Sequence, residues 1–424
     1  MDGALATLTE RGFIQQCTNL PALDHLLNHG PVTFYCGFDP TGPSLQAGHL
    51  IPLFAMAHLY RAGHRPIVLI GGGTALIGDP TGRTEIRKIQ TREQIAAHAE
   101  AFKIQIARFI DFSDRSIMLN NADWLTELNY IEFLRDIGRH FSVNRMLSFE
   151  TYKTRMEKGL SFIEFNYQLL QSYDFLALYR EYGCLLQIGG DDQWGNIVAG
   201  ADLLRRVEGV EAIGLTFPLV TTADGKKMGK TEKGALLLDP NLTPPYEFFQ
   251  YWRNVADADV GQYLKRFTFL PIDEIQSLEA LEGASINLAK ERLAYELTKI
   301  VHGAADADRA IAAARAAFSE VGTSAGAAYG GASASAGEGS VDAIPSIEVS
   351  RSEFEAGVGV LDLFSRTSLC SSKSEARRLV EQGGAAINDE KVSDVDAIIG
   401  AEHISGSGLV LRAGKKRYFR VVVI

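Results

Sequence analysis

Val32-Thr-Phe-Tyr-Cys-Gly-Phe-Asp-Pro-Thr-Gly-Pro-Ser-Leu-Gln-Ala-Gly-His49, running on to Tyr60, is the stretch from which the rest of the chain can be read. Residues 32–38 form an apolar run of strand length, residues 39–43 are rich in turn formers, and a helix is expected to start near Ser44. Gln46 and His49 stand three residues apart on the first turn of that helix and so share a face. Gly48 leaves room for close approach between them. A helix N-terminus at a strand end favours anions, because free N–H groups and the positive end of the dipole point the same way. Two neutral hydrogen-bonding side chains there suit a polyphosphate. The plainer alternative is a strand–turn–helix with a satisfied polar pair at its cap.

Outward from this stretch, short apolar runs alternate with amphipathic ones. Residues 66–70 and 185–188 read as buried strands, and residues 50–62, 92–110, 161–182 and 193–207 carry helical periodicity. Such alternation implies a parallel sheet with helices on both faces, whose ligand lies beyond the carboxyl ends of the strands. Polar clusters fall in those places, after Phe38, Ile70 and Ile188. Residues 244–320 are helical in pattern, residues 321–340 are almost entirely Gly, Ala and Ser and read as a linker, and ordered structure resumes from residue 348.

The 424 residues allow two or three domains. With 46% hydrophobic and 22% charged residues the composition is that of a soluble globular protein, and the formal charge of -10 argues against a uniformly basic chain while leaving room for local basic patches. Cys17, Cys36, Cys184 and Cys370 are scattered without metal-ligand spacing, so neither zinc nor a disulfide framework is expected. The absence of a signal-like N-terminus and of a membrane-length apolar run leads to the expectation of a cytoplasmic protein with no membrane partner.

Four further clusters carry chemistry. Gly71-Gly-Gly-Thr-Ala-Leu-Ile-Gly-Asp-Pro-Thr-Gly82 ends a strand, and Asp79 could capture an ammonium or merely cap a turn; Arg83 and Arg87 beyond it could meet phosphate oxygens or form a solvated surface pair. Tyr167, Gln171 and Asp174 make a polar stripe on an otherwise apolar helix, which needs hydrogen-bond partners, either a ligand or another helix. Gln187-Ile-Gly-Gly-Asp-Asp-Gln-Trp-Gly-Asn196 opens a helix from a strand end and suits a nucleoside, or an ordinary capped turn. Lys226-Lys-Met-Gly-Lys-Thr231, flanked by Gly225 and Gly234, is a glycine-hinged lysine loop that could close over phosphates and is not a Walker A loop.

In this order the clusters resemble a known family. Gln46-Ala-Gly-His49 resembles the HIGH signature of class I aminoacyl-tRNA synthetases and Lys227-Met-Gly-Lys-Thr231 their KMSKS loop. With Tyr35, the Tyr167/Gln171/Asp174 stripe and the Gly189–Gly195 cluster between them, the chain looks like a bacterial-type tyrosyl-tRNA synthetase over essentially its full length. Ser371-Ser-Lys-Ser-Glu-Ala-Arg-Arg-Leu-Val380 and Gly383-Gly-Ala-Ala-Ile-Asn388 resemble an S-four-type RNA-binding domain. The resemblance implies an α/β fold with a Rossmann-like parallel-sheet catalytic domain (residues 1–222, with a dimer-interface insertion at about 125–165). A KMSKS-type loop and α-helical domain (223–320), a linker (321–347) and a small α+β S-four-type RNA-binding domain (348–424) would follow.

It also implies roles. Tyr35 and Asp174 would read the tyrosine phenol, Asp79, Tyr167 and Gln171 its ammonium, Gln193 its carboxylate, and Gln187 would line the pocket. Cys36 and Asp192 would touch the ribose of ATP, with Gly37, Asp39, Gly48 and Gly190 lining the nucleotide site. Thr41, Gln46, His49, Lys227 and Lys230, joined by Arg83 and Arg87, would stabilise the transferring phosphoryl group. The implied partners are L-tyrosine, ATP with Mg²⁺, tRNA(Tyr) and a second copy of the chain, with no organic cofactor and no zinc. Lys373, Arg377, Arg378, Lys415, Lys416 and Arg417 would grip tRNA phosphates. Two positions depart from the family: Gln46 replaces the first motif histidine and cannot carry a positive charge, and Gly229-Lys230-Thr231 replaces Ser-Lys-Ser. Rival readings are a tryptophanyl-tRNA synthetase, a nucleotidyltransferase of the same fold and a non-catalytic RNA-binding derivative. Tyr35 with Asp174, the tail and the retained loop lysines speak against them.

Overall fold

The computed structural model describes residues 3–79, 90–157, 159–223, 225, 228–231, 234–319, 346–367, 369–388, 390–404, 408–414 and 417–424. Two compact units result: Met1–Thr243 with Asn254–Leu293, and Pro244–Arg253 with Ala294–Ile424.

The first unit is built on strands β1 (Gln16–Cys17), β2 (Thr33–Phe38), β3 (Arg65–Ile70), β4 (Ile117–Asn120), β5 (Leu186–Gly190) and β6 (Ile213–Phe217). Their spatial order is β1-β6-β5-β2-β3-β4, parallel except for β1. From β2 the chain runs outward to β3 and β4, then returns to place β5 on the other side of β2. That reversal opens a crevice at the carboxyl ends of β2 and β5, where doubly wound sheets bind ligands. The helices are α1 (Leu50–Arg61), α2 (Arg92–Ile106), α3 (Phe162–Tyr182) and α4 (Trp194–Val207). α1 buries Leu50, Ile51, Leu53, Phe54, Ala55, Met56, Ala57 and Leu59, so it is apolar nearly all round. α3 starts with a capping box between Ser161 and Glu164 and stops at Gly183, whose φ of 63° is the left-handed conformation that ends helices.

The structure corrects one expectation. The helix does not start near Ser44. Gln46 is extended and forms an antiparallel bridge with Leu237, flanked by bonds from Leu238 N–H to Leu45 O and from Ala47 N–H to Leu236 O, both at 2.9 Å. Gln46 caps a single 3₁₀ turn, Ala47–His49, and α1 begins only at Leu50. Backbone groups taken by a distant strand are not available for helical bonds.

In the second unit, helix Pro245–Arg253 packs on Ala304–Ser319. The strands Glu390–Lys391, Ala385–Ile387, Gly408–Ala413, Arg417–Val423 and Ser346–Val349 form a sheet in that order. Helices Val360–Ser365 and Lys373–Glu381 share its core, which includes Leu363, Phe364, Ala376, Val380, Leu411 and Val421. The expected linker lies outside the described residues, apart from its final two positions.

Candidate active site

A cavity of about 340 Å³ occupies the crevice beyond β2 and β5, a volume suited to a small metabolite. β2 and the turn after it contribute Tyr35, Cys36, Gly37, Asp39 and Thr41; the 3₁₀ turn contributes Gln46, Gly48 and His49; the loop after β3 contributes Asp79. α3 adds Tyr167, Gln171 and Asp174, and β5 with its following turn adds Gln187, Gly190, Asp192 and Gln193. Five separate segments of sequence thus meet around one space. Arg83, Arg87, Lys227, Lys415 and Lys416 lie outside the described residues. Lys230 lies in a two-residue strand, Lys230–Thr231, antiparallel to Gly234–Ala235.

Asp174, which lines the cavity, is 2% exposed. Its carboxylate accepts from Asn121 Nδ2 at 2.9 Å and from Trp124 Nε1 at 2.8 Å. Burial raises its pKa to about 7 against the lowering effect of those two bonds, with Asp39 adding a further upward push. Tyr35 is 1% exposed, and its Oη has no hydrogen-bond partner. Burial, and then the charge of Asp174, push its pKa well above the usual value, so the phenol stays neutral. Gln171 Oε1 and Gln187 Oε1 are also buried without a partner. Three orphaned polar atoms lining one cavity indicate a polar ligand, because buried groups of this kind cost about 1–3 kcal/mol each when unpaired.

Along the wall, Asp39 accepts from Thr74 Oγ1 and Tyr167 Oη, both at 2.9 Å. Gly71 must be glycine here, since a Cβ would sit 1.9 Å from Asp39 Oδ1. Gln193 Nε2 donates to Asp79 at 2.8 Å, and Asn196 Nδ2 donates to Gln193 Oε1 at 3.1 Å. The paired acids Asp191 and Asp192 divide their work. Asp191 accepts from Gln16 at 2.7 Å and Thr216 at 2.8 Å, tying β1 and β6 to the turn, while Asp192 lines the cavity.

The Gln46 N–H donates to His49 Nδ1 at 2.9 Å. The neutral imidazole then carries its proton on Nε2 and is a donor through that atom. Burial pushes the Cys36 thiol up to about 12, so it is neutral and not a nucleophile at ordinary pH. Asn121, Trp124 and Thr74 were not anticipated from the sequence, although Asn120-Asn121 directly after a strand end was a usable signal. Lys373, Arg377 and Arg378 stand on the helix Lys373–Glu381, where Lys373 pairs with Asp362. Arg417 donates to Leu369 O at 3.2 Å.

A family model described as tRNA synthetases class I (W and Y) matches residues 27–319, and one described as the tyrosine–tRNA ligase SYY-like C-terminal domain matches residues 338–421. Tyrosine–tRNA ligases of Treponema denticola and Acetivibrio thermocellus are 55% and 52% identical to the chain, each covering 100% of both sequences. Among solved structures, a C-terminally truncated mitochondrial tyrosyl-tRNA synthetase of Aspergillus nidulans superposes with a TM-score of 0.68 at 31% identity, over 75% of this chain and 95% of that one. A tryptophanyl-tRNA synthetase of Encephalitozoon cuniculi shares the fold at a TM-score of 0.54 and 15% identity, over 72% of this chain and 87% of that one. Identity at that level along the full length, together with both family matches, places the chain in the class I tRNA synthetases of the W and Y type, within the tyrosine–tRNA ligases.

Proposed function

We propose that the cavity binds L-tyrosine and ATP and joins them as tyrosyl-adenylate, from which the tyrosyl group passes to the terminal ribose of tRNA(Tyr). The observation that carries this reading is the fully buried, unpartnered Tyr35 hydroxyl near Asp174. A substrate phenol would donate to Asp174 and accept from Tyr35. A phenylalanine ring would leave the Tyr35 hydroxyl unpaired, at a cost of about 1–3 kcal/mol, and would forgo the charge-assisted bond to Asp174. Asp79, Tyr167 and Gln171 would take the ammonium, with Gln193 beside the carboxylate. Cys36, Gly37, Asp39, Gly48, Gly190 and Asp192 would border the nucleotide.

The tyrosine carboxylate is already ionised, so the reaction needs no base. It attacks the α-phosphorus, the bond to the β-phosphate oxygen breaks, and pyrophosphate leaves. What the protein supplies is alignment and donors aimed at the developing charge. His49 Nε2–H, the Gln46 amide and the Thr41 hydroxyl serve there, with Lys227, Lys230, Arg83 and Arg87 as the cationic groups. Mg²⁺ would travel on the ATP phosphates. Among the described residues no group of three or more His, Cys, Asp or Glu side chains is placed to hold a metal.

The tail helix with Lys373, Arg377 and Arg378, together with Lys415, Lys416 and Arg417, would hold tRNA phosphates. A homodimer is supported by exposed apolar side chains in residues 125–165, among them Ile131 at 70%, Phe162 at 69% and Val143 at 56%. The described residues contain no helix long and apolar enough to cross a membrane, and a cytoplasmic location is proposed from the bacterial relatives.

The test is ATP–pyrophosphate exchange with each of the twenty amino acids. Tyrosine alone should support it, and exchange with tryptophan in place of tyrosine would overturn the reading.

A further inference from the structure

We infer that Ser44 is a positioning residue for adenylate formation: its buried hydroxyl holds the segment bearing Gln46 and His49 in register with the segment bearing Lys230. The inference rests on the adenylation reading given above. Ser44 is 4% exposed and is not part of the cavity wall. Its Oγ accepts the N–H groups of Leu238 at 3.2 Å and Asp239 at 3.0 Å. The single hydroxyl proton has two acceptors in reach, Gln105 Oε1 at 3.2 Å and Leu45 O at 2.8 Å. Gln105 Oε1 in turn accepts the Leu45 N–H at 3.0 Å, so α2 joins the same node.

From this node the two segments run side by side toward the cavity. Leu238 N–H meets Leu45 O, Ala47 N–H meets Leu236 O, and Leu236 N–H reaches Gly229 O at 2.8 Å. The seat closes where Gly229, at φ +79°, lies against Ala47; a Cβ on Gly229 would come within 2.7 Å of the Ala47 Cβ. Gln46 lies in one strand of this pairing and His49 just beyond it, while Lys230 is the neighbour of Gly229, which the other strand holds through Leu236 N–H, and pairs with Ala235. A shift of one strand against the other therefore changes the spacing of the groups that must converge on one phosphoryl centre. The bonds of this pairing do not involve Tyr35, Asp174 or Gln171, the residues proposed to meet the amino acid.

The test compares Ser44→Ala with Ser44→Thr and with Gly229→Ala, which disturbs the seat from the opposite side without removing the hydroxyl. Misplacement of reacting groups by about 1 Å costs on the order of 100-fold, so Ser44→Ala should lower kcat of tyrosine-dependent exchange by about 10- to 100-fold. Tyrosine Kd, measured by equilibrium dialysis without ATP, should stay unchanged. Ser44→Thr keeps the hydroxyl and should recover most of the rate. Gly229→Ala should reproduce the loss in kcat, again with tyrosine binding intact. A merely structural role predicts instead that kcat and tyrosine binding fall together with the folded fraction. That pattern, or an unchanged kcat in folded Ser44→Ala, overturns the inference. Should Ser44→Ala fail to fold, an unchanged kcat in Gly229→Ala overturns it. Wild-type protein without tyrosine-dependent exchange would remove the adenylation reading and this inference together, whereas active wild type with indifferent variants removes the inference alone.

Discussion

Tyrosine affinity should rise with pH through neutrality, because Asp174, the carboxyl proposed to accept the substrate phenol, titrates near 7. Asp174 is held in its carboxylate form by Asn121 and Trp124 and driven toward its neutral form by burial, with a resulting pKa of about 7. The carboxylate is the strong acceptor for the incoming hydroxyl: two of its roughly four lone-pair sites are taken by Asn121 and Trp124, and protonation removes both a further site and the charge that strengthens the bond. At this pKa roughly one molecule in eleven is ionised at pH 6 and about ten in eleven at pH 8. The apparent Kd, which scales inversely with the competent fraction, should then tighten about tenfold between them. Tyr35 is kept neutral throughout that range, so it adds no titration of its own. The assay is equilibrium dialysis of labelled tyrosine without ATP, with Asp174→Asn as the control. The variant should bind more weakly and show no slope. A wild-type Kd constant between pH 6 and 8, or the same slope in the Asn variant, would refute the reasoning.

Two more outcomes are expected. In the ligand-free protein the folded carboxyl of Asp174 keeps its proton up to about pH 7, whereas the unfolded chain releases it near 4. Its contribution to stability is therefore fully present below about pH 4 and is lost as pH rises through 7, by about 4 kcal/mol for a shift of about three pK units. Urea unfolding of Asp174→Asn should lack that part of the slope. Removing residues 342–424 should leave tyrosine-dependent exchange intact and abolish charging of tRNA; normal charging by the shortened chain would disprove the proposed role of the tail.

The strands and helices around the site were legible because each is written in a local pattern: an apolar run for β2 and β3, helical periodicity for α3. Cavity-lining residues were legible where they follow a strand end, because a parallel sheet brings its strand ends together. Other features were not. Asn121 and Trp124 shape Asp174 from 53 and 50 residues away, and no periodicity links them to it. The helix expected at Ser44 was displaced by Leu238 and Asp239, 194 and 195 residues downstream, which bond the Ser44 hydroxyl.

What the sequence determined by itself was the strand–turn–helix grammar, the motif order and, through them, the family. Steric preference and hydrophobic period act over a few residues, so they can be read without knowing the fold. Tertiary structure alone decided which carboxyl titrates near neutrality and where α1 begins. Each of those depends on desolvation or on a hydrogen-bond partner supplied from far along the chain, and such partners exist only once the order β1-β6-β5-β2-β3-β4 has brought the distant segments together.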